Sequence, residues 1–119
     1  MQEGKPNYRL ISRRGHPKGV ILKIGVGDRG VKVLLTHHSL DRIAFWGLSE
    51  EQVLESLLYP EEVLIGHYGR YIAHKLCGRH IIRAVYEYQG NIAVLITVYR
   101  PLTTRYFEGE GRYEDKILT

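Results

Sequence analysis

The run IAVLITV, from Ile92 to Val98, is apolar at every position except Thr97. A strand with one solvated face alternates apolar and polar residues, so a continuous apolar run predicts a strand that is covered on both faces. We therefore expect this run to form the central strand of a sheet, with helices packed on one side. Pro101 should end the strand, because proline cannot donate a hydrogen bond to a neighbouring strand.

Two short helices are predicted before residue 60. At about 100° per residue, the first helix has an apolar face and, on its other side, a row of His38, Arg42 and Phe45. These three residues are candidates for a functional surface, and the alternative is that they are solvated side chains and a packing contact. Ser49 with Gln52 three residues later predicts a capping box at the start of the second helix.

The remaining segments have the alternation and turn residues of strands. GVILKIGV and VKVLLT flank GDRG and predict an N-terminal hairpin. After Pro60 the segments EVLIGHY, RYIAHKLC and GRHIIRAVYEY are strand-like. The predicted order is two strands, two helices and four strands. Helices and strands that are segregated along the chain favour the α+β class with an antiparallel sheet.

The 119 residues predict one domain, residues 20–119, preceded by a basic N-terminal arm, residues 1–19. The arm carries the whole formal net charge of +4, and the rest of the chain is balanced. Cations also outnumber anions in the strand-like region. A basic arm and a basic strand region suit a polyanion such as RNA, although such charges are often only solubilising.

Tyrosine and arginine recur together in the second half of the chain, which has most of the nine tyrosines. Tyrosine rings can stack on unpaired bases and arginines can bind phosphate, as recognition of single-stranded RNA requires. The alternative is that these tyrosines are simply good strand formers. The residues expected to bind RNA are Arg83, Arg105, Tyr106, Arg13 and Arg14.

RNA cleavage without a metal ion needs a base, an acid and a cation that stabilises the phosphorane charge. The residue types are present at His38, His74, His80, Tyr86, Tyr99, Arg42, Arg79, Arg83 and Arg105. The six histidines do not have zinc-site spacing and Cys77 is the single cysteine, so we expect no metal and no cofactor. No membrane-spanning run or signal segment is apparent, which predicts a cytoplasmic protein without a membrane partner.

Three segments resemble a known family: LLTHHSLDRIAFWGLSEEQVLESLLYPEEV, GRHIIRAVYEYQGNIAVLITVY and TTRYF. Over roughly residues 34 to 107 the chain resembles the small toxin domains of the RelE/BrnT-like superfamily, and in particular an uncharacterised branch of it. The resemblance implies two helices packed on a small, mostly antiparallel twisted sheet. The hairpin and arm at the N-terminus are extra to that fold.

The resemblance also implies a function, that of the toxin in a type II toxin–antitoxin system. Such a toxin cleaves RNA without a metal ion and is neutralised by an antitoxin protein. The catalytic positions carried over from the family are His38, Arg42, Arg79, Tyr86 and Tyr99. Two alternatives stay open: a non-enzymatic module of the same fold that binds RNA or a protein, and a structural domain that forms a homodimer.

Overall fold

The computed structural model of the chain describes residues 7–102 and residue 117. Within them, seven strands and two helices follow one another along the chain. Neither helix, nor any other in the described chain, is long and apolar enough to cross a membrane. The elements are β1 Arg9–His16, β2 Gly19–Val26, β3 Arg29–Thr36, α1 His37–Phe45, α2 Glu50–Leu58, β4 Glu62–Ile65, β5 Tyr71–Cys77, β6 His80–Gln89 and β7 Ile92–Tyr99.

All seven strands join one sheet in the order β1-β2-β3-β7-β6-β5-β4. β7 is the fourth strand across, which confirms the central strand that the apolar run predicts. The strands are antiparallel to their neighbours except for β3 and β7, which pair in parallel, with Leu35 opposite Leu95. The carboxyl ends of β3 and β7 therefore lie at the same end of the sheet.

The predicted fold class, two helices on a small and mostly antiparallel sheet with an extra hairpin, is wrong. The sheet is mixed and has seven strands, and the two described helices have only nine residues each. The physical reason is the parallel pairing of β3 with β7, which joins the N-terminal hairpin to the later strands in one hydrogen-bonded sheet. Local alternation predicts individual strands, but it does not reveal a pairing between strands that are far apart in sequence.

Part of the predicted N-terminal arm is a strand. β1 pairs antiparallel with β2, with a register irregularity between Leu10 and Ser12. β1 is an edge strand whose side chains are mostly exposed, so it lacks the apolar alternation that marks a half-buried strand. The predicted hairpin between β2 and β3 is confirmed.

Both helices pack on one face of the sheet and cover its core. The hydroxyl of Thr36 caps α1 by accepting a hydrogen bond from the backbone of Ser39. The predicted capping box of Ser49 and Gln52 is confirmed at the start of α2. Each large apolar side chain buried here stabilises the fold by roughly 1.5–3 kcal/mol. The core includes Leu22, Ile24, Val33, Leu35, Ile43, Val53, Leu54, Leu57, Val63, Ile82, Tyr86, Leu95 and Val98.

Candidate functional site

A β-bulge in β7 determines which of its side chains lie beside those of β6. Ile96 is the extra residue, since it has no partner in the register with β6. After it, Thr97 pairs with Val85 and Tyr99 with Arg83. If the register of Leu95 with Tyr86 continued without the bulge, Tyr99 would lie opposite Ile82, whose side chain belongs to the helix-covered core. The bulge therefore turns the end of β7 so that its phenol lies beside a guanidinium.

Four polar side chains form a line across the last four strands of the sheet. They are direct register partners on β4, β5, β6 and β7, namely Glu62, His74, Arg83 and Tyr99. Each has an immediate neighbour in the helix-covered core, so alternation turns all four to the opposite face of the sheet. These four residues are termed the polar row.

Hydrogen bonds connect the first three members of the polar row. His74 Nδ1 lies 2.6 Å from Glu62 Oε2, and Arg83 Nη1 lies 2.8 Å from His74 Nε2. A guanidinium has only donors, so Nε2 of His74 must accept from Arg83 and Nδ1–H must donate to Glu62. The contacts therefore assign a neutral imidazole with its proton on Nδ1.

The polar row holds a guanidinium in a fixed position. Glu62 and His74 are fully buried, while Arg83 is partly buried and Tyr99 is 40% exposed. A buried carboxylate is tolerated only with good hydrogen bonds and a compensating charge, and the imidazole and the guanidinium supply these. Because His74 accepts a hydrogen bond from Arg83, it restrains the orientation of the guanidinium.

His38 reaches the same end of the sheet from the first turn of α1. Its Nε2 lies 3.2 Å from Thr97 Oγ1, and the residue is exposed. Thr97 precedes Tyr99 by two residues, a step of roughly 7 Å along a strand. Thr36 Oγ1 donates to Leu95 O at 2.8 Å, which attaches the start of α1 to β7. His38 thus contacts β7 two residues before Tyr99, although α1 itself packs on the face of the sheet opposite to the polar row.

Two predicted catalytic arginines lie outside the polar row. Arg42 lies 4.4 Å above the ring of Phe45, which is 64% exposed, and its buried Nε has no partner among the described residues. This places Arg42 on the exposed side of α1, one helical turn from His38, as the predicted row requires. Arg79 is exposed in the turn between β5 and β6, four residues before Arg83. Their catalytic roles stay predictions.

Tyr86, also predicted as catalytic, is fully buried on the helix-covered face. Its ring centroid lies 5.6 Å from that of Tyr71 and 5.8 Å from that of Tyr88. Alternation along β6 puts Tyr86 and Arg83 on different faces, so the sheet separates this tyrosine from the polar row. The structure therefore does not bring Tyr86 together with Tyr99.

The residues predicted to bind RNA are divided between several places. Arg83 belongs to the polar row, whereas Arg13 forms an ion pair of 2.8 Å with Glu50 of α2. The hydrogen bond to Glu50 raises the pKa of Arg13. Arg14 is exposed on β1. Arg105 and Tyr106 lie outside the described residues.

Glu62 is the member of the polar row that sequence analysis missed. It stands beside Glu61 in a run of acidic residues near α2, where a carboxylate is normally solvated. The available signal was the alternation of the segment EEVLI, which places Glu62 and Leu64 on one face of a short strand and Val63 on the other. That signal does not identify His74 as its partner, because the pairing of β4 with β5 sets the contact.

The described residues contain no group of three histidine, cysteine, aspartate or glutamate side chains that could hold a metal ion. Cys77 has a free thiol, is partly buried and packs against the core, as a small structural residue does. No family model matches the chain, and neither a curated protein nor a solved structure does.

Proposed function

We propose that the chain is an endoribonuclease that acts without a metal ion, with His38, Arg83 and Tyr99 around the scissile phosphodiester. The observation that carries the proposal is the register of β6 with β7. It makes Arg83 and Tyr99 direct partners and puts Thr97, the hydrogen-bonding partner of His38, two residues away on the same strand. We infer from this arrangement that an imidazole, a guanidinium and a phenol can approach one phosphate group at this end of β7.

The reaction that these groups support is an attack of the RNA 2′-oxygen on the adjacent phosphorus. The 2′-hydroxyl proton passes to a base, and the departing 5′-oxygen takes a proton from an acid, which leaves a 2′,3′-cyclic phosphate and a 5′-hydroxyl. His38 and Tyr99 are the exposed groups for these two proton transfers. Arg83 stabilises the charge that develops on the phosphorane oxygens.

The wider role that we propose is that of the toxin in a type II toxin–antitoxin pair. It rests on the sequence resemblance to the RelE/BrnT-like superfamily and on the RNA chemistry proposed for the polar row. An antitoxin would neutralise such an enzyme by covering His38 and Tyr99. The partner of this chain is then a protein that abolishes RNA cleavage at equimolar concentration.

The experiment that tests the proposal is cleavage of a labelled single-stranded RNA by the purified chain in buffer with EDTA. We expect cleavage by the wild type, with cyclic phosphate ends. His38→Ala should lower the rate by about 10²–10⁴-fold, as loss of a general acid or base does. Arg83→Gln should lower it by about 10²–10³-fold, as loss of one preorganised donor does. Tyr99→Phe removes a single exposed hydroxyl and should also reduce the rate.

The matched control is His67→Ala, because His67 is an exposed histidine in the turn between β4 and β5. This variant should cleave as fast as the wild type. Equal cleavage by the wild type, His38→Ala and Tyr99→Phe would mean that these groups are not catalytic. RNA binding without cleavage in any buffer would instead favour the non-enzymatic binding module.

A further inference from the structure

A second polar feature lies on β1, β2 and β3, away from the polar row. It is an open cleft of about 280 Å³ on the N-terminal strands. Its position follows from the register, since Ser12 pairs with Lys23 and Lys23 with Lys32. This surface is termed the basic cleft, and it is lined by Ser12, Arg14, Ile21, Leu22, Lys23 and Lys32.

The positive charges of the basic cleft are not compensated by a negative side chain among the residues that line it. Lys23 and Lys32 are direct cross-strand partners, and both are exposed. Like charges directly opposite each other destabilise a sheet, so this pair costs stability in the free protein. Arg14 adds a third cation, and no carboxylate is present among the six lining residues. An anion bound between the two lysines would relieve the repulsion.

The size of the basic cleft distinguishes between kinds of anion. At about 280 Å³ it is below the roughly 300–1,000 Å³ that enclose most small-molecule ligands. It is also open to the surface, so a small free ligand would stay largely solvated. A polymer can use such a site, because the chain continues beyond both ends of the cleft and several phosphates contact separate cations. A nucleic-acid backbone therefore fits better than a cofactor.

The basic cleft and the polar row share one face of the sheet. Val33, next to Lys32, belongs to the helix-covered core, as does Ala84 next to Arg83. Alternation therefore turns Lys32 and Arg83 to the same opposite face. Lys32 pairs with Ile92 at the start of β7, and Tyr99 ends that strand, a separation of roughly 20 Å. A few nucleotides of extended strand span this distance.

We propose that the basic cleft binds the phosphate backbone of single-stranded RNA and anchors the substrate a few nucleotides from the cleaved bond. This inference rests on the proposed function and adds how the substrate is held. The proposed mechanism requires a single-stranded substrate, because attack by the 2′-oxygen needs an RNA backbone that can leave helical geometry. Lys23 and Lys32 are binding residues in this proposal and take no part in proton transfer.

The test is binding of a fluorescein-labelled 12-nucleotide DNA strand, which lacks the 2′-hydroxyl and cannot be cleaved by this mechanism. Fluorescence anisotropy is measured against salt concentration for the wild type and for the Lys23→Gln, Lys32→Gln double variant. The matched control, Lys18→Gln with Arg29→Gln, removes the same charge from two exposed residues outside the cleft, one in the turn before β2 and one at the start of β3. His38→Ala is included as a variant with an intact cleft.

We expect the double variant to bind at least about tenfold more weakly at low salt, and the slope of log K against log salt to fall by roughly 1.4 for two lost phosphate contacts. The control should change affinity less than about threefold, and His38→Ala should bind as the wild type does. If the wild type bound the probe through the cleft but cleaved no RNA, only the proposed enzyme activity would be overturned. If the control and the double variant weakened probe binding equally, the proposal that the basic cleft binds the phosphate backbone would be overturned.

A competition experiment with the same labelled DNA probe distinguishes RNA from a protein polyanion as the ligand of the basic cleft. An RNA strand of the same length should displace the labelled probe, and polyglutamate of equal charge should displace it at least about tenfold less well. Duplex RNA should also compete less well than the single strand. Displacement by polyglutamate at the same concentration as RNA would mean that the cleft is a general anion surface, and would overturn the proposal.

Discussion

Arg83 donates a hydrogen bond from Nη1 to Nε2 of His74 across 2.8 Å. This contact requires that Nε2 has a lone pair, so the buried imidazole is neutral and presents its proton to Glu62. The three side chains therefore depend on one another: the carboxylate orients the imidazole, and the imidazole orients the guanidinium. Such a buried network contributes to a single arrangement of the sheet only when all of its members are present.

The first prediction concerns the buried carboxylate. Glu62→Ala removes one partner of a buried hydrogen-bonded pair and should lower the free energy of unfolding by about 3–5 kcal/mol. Glu61→Ala is the matched control, because Glu61 is partly exposed; its carboxylate pairs with Lys75 at 3.3 Å and accepts a hydrogen bond from the backbone N–H of Leu76. The control should cost about 1–2 kcal/mol. Urea denaturation measures the free energy of unfolding of both variants. Equal losses of this free energy would contradict a specific stabilising role for the buried pair.

Local features of the fold could be predicted from the sequence because each depends on a few adjacent residues. The capping box of Ser49 and Gln52 and the central strand from Ile92 are examples. β1 was not predicted as a strand, since an exposed edge strand does not need apolar alternation. The parallel pairing of β3 with β7 has no local signal, and this pairing overturned the predicted fold class.

The candidate site depends on strand registers that local sequence patterns do not predict. Arg83 and Tyr99 were both candidates by residue type, but their pairing across two strands depends on the bulge at Ile96. A run of apolar residues does not indicate which of them is the extra one. Glu62 illustrates the same limit, because its partner His74 is fixed by strand pairing alone.

The second prediction concerns a close approach between β2 and β3. Gly19 has a φ of 151°, and a side chain there would meet the backbone carbonyl of Leu35. Gly19→Ala should therefore destabilise the protein by about 3 kcal/mol or more, because the backbone must move or strain. Gly15→Ala is the control, since a methyl group at Gly15 meets no atom within 4 Å. Thermal unfolding distinguishes them, and similar midpoints for both variants would contradict the close packing.

The third prediction is a loss of stability at alkaline pH. Burial, then the charges of Glu55 and Glu51, raise the pKa of Tyr8 above the usual 10.0. Between pH 10 and the raised pKa the unfolded chain releases this proton and the folded chain keeps it, so unfolding becomes more favourable as pH rises. Tyr8→Phe should reduce the fall in unfolding free energy between pH 9 and pH 11.

The control for this titration is Tyr68→Phe, because the side chain of Tyr68 is 94% exposed. This variant should lose as much stability as the wild type between the same two pH values. Urea denaturation at each pH gives the difference directly. If Tyr8→Phe and Tyr68→Phe have the same pH dependence, then Tyr8 does not contribute to the alkaline loss.

The fourth prediction concerns how His38 is positioned. Thr97→Val removes the hydroxyl that lies 3.2 Å from His38 Nε2 and keeps a β-branched side chain of similar size in a buried position. Because Thr97 acts through His38, kcat for RNA cleavage should fall by up to about tenfold, the equivalent of one hydrogen bond, while KM stays unchanged. Thr97→Ser keeps the hydroxyl and should restore most of the rate, and both variants should unfold within about 1 kcal/mol of each other. A wild-type kcat in Thr97→Val, or a kcat in Thr97→Ser as low as that of Thr97→Val, would show that this hydrogen bond does not position the imidazole.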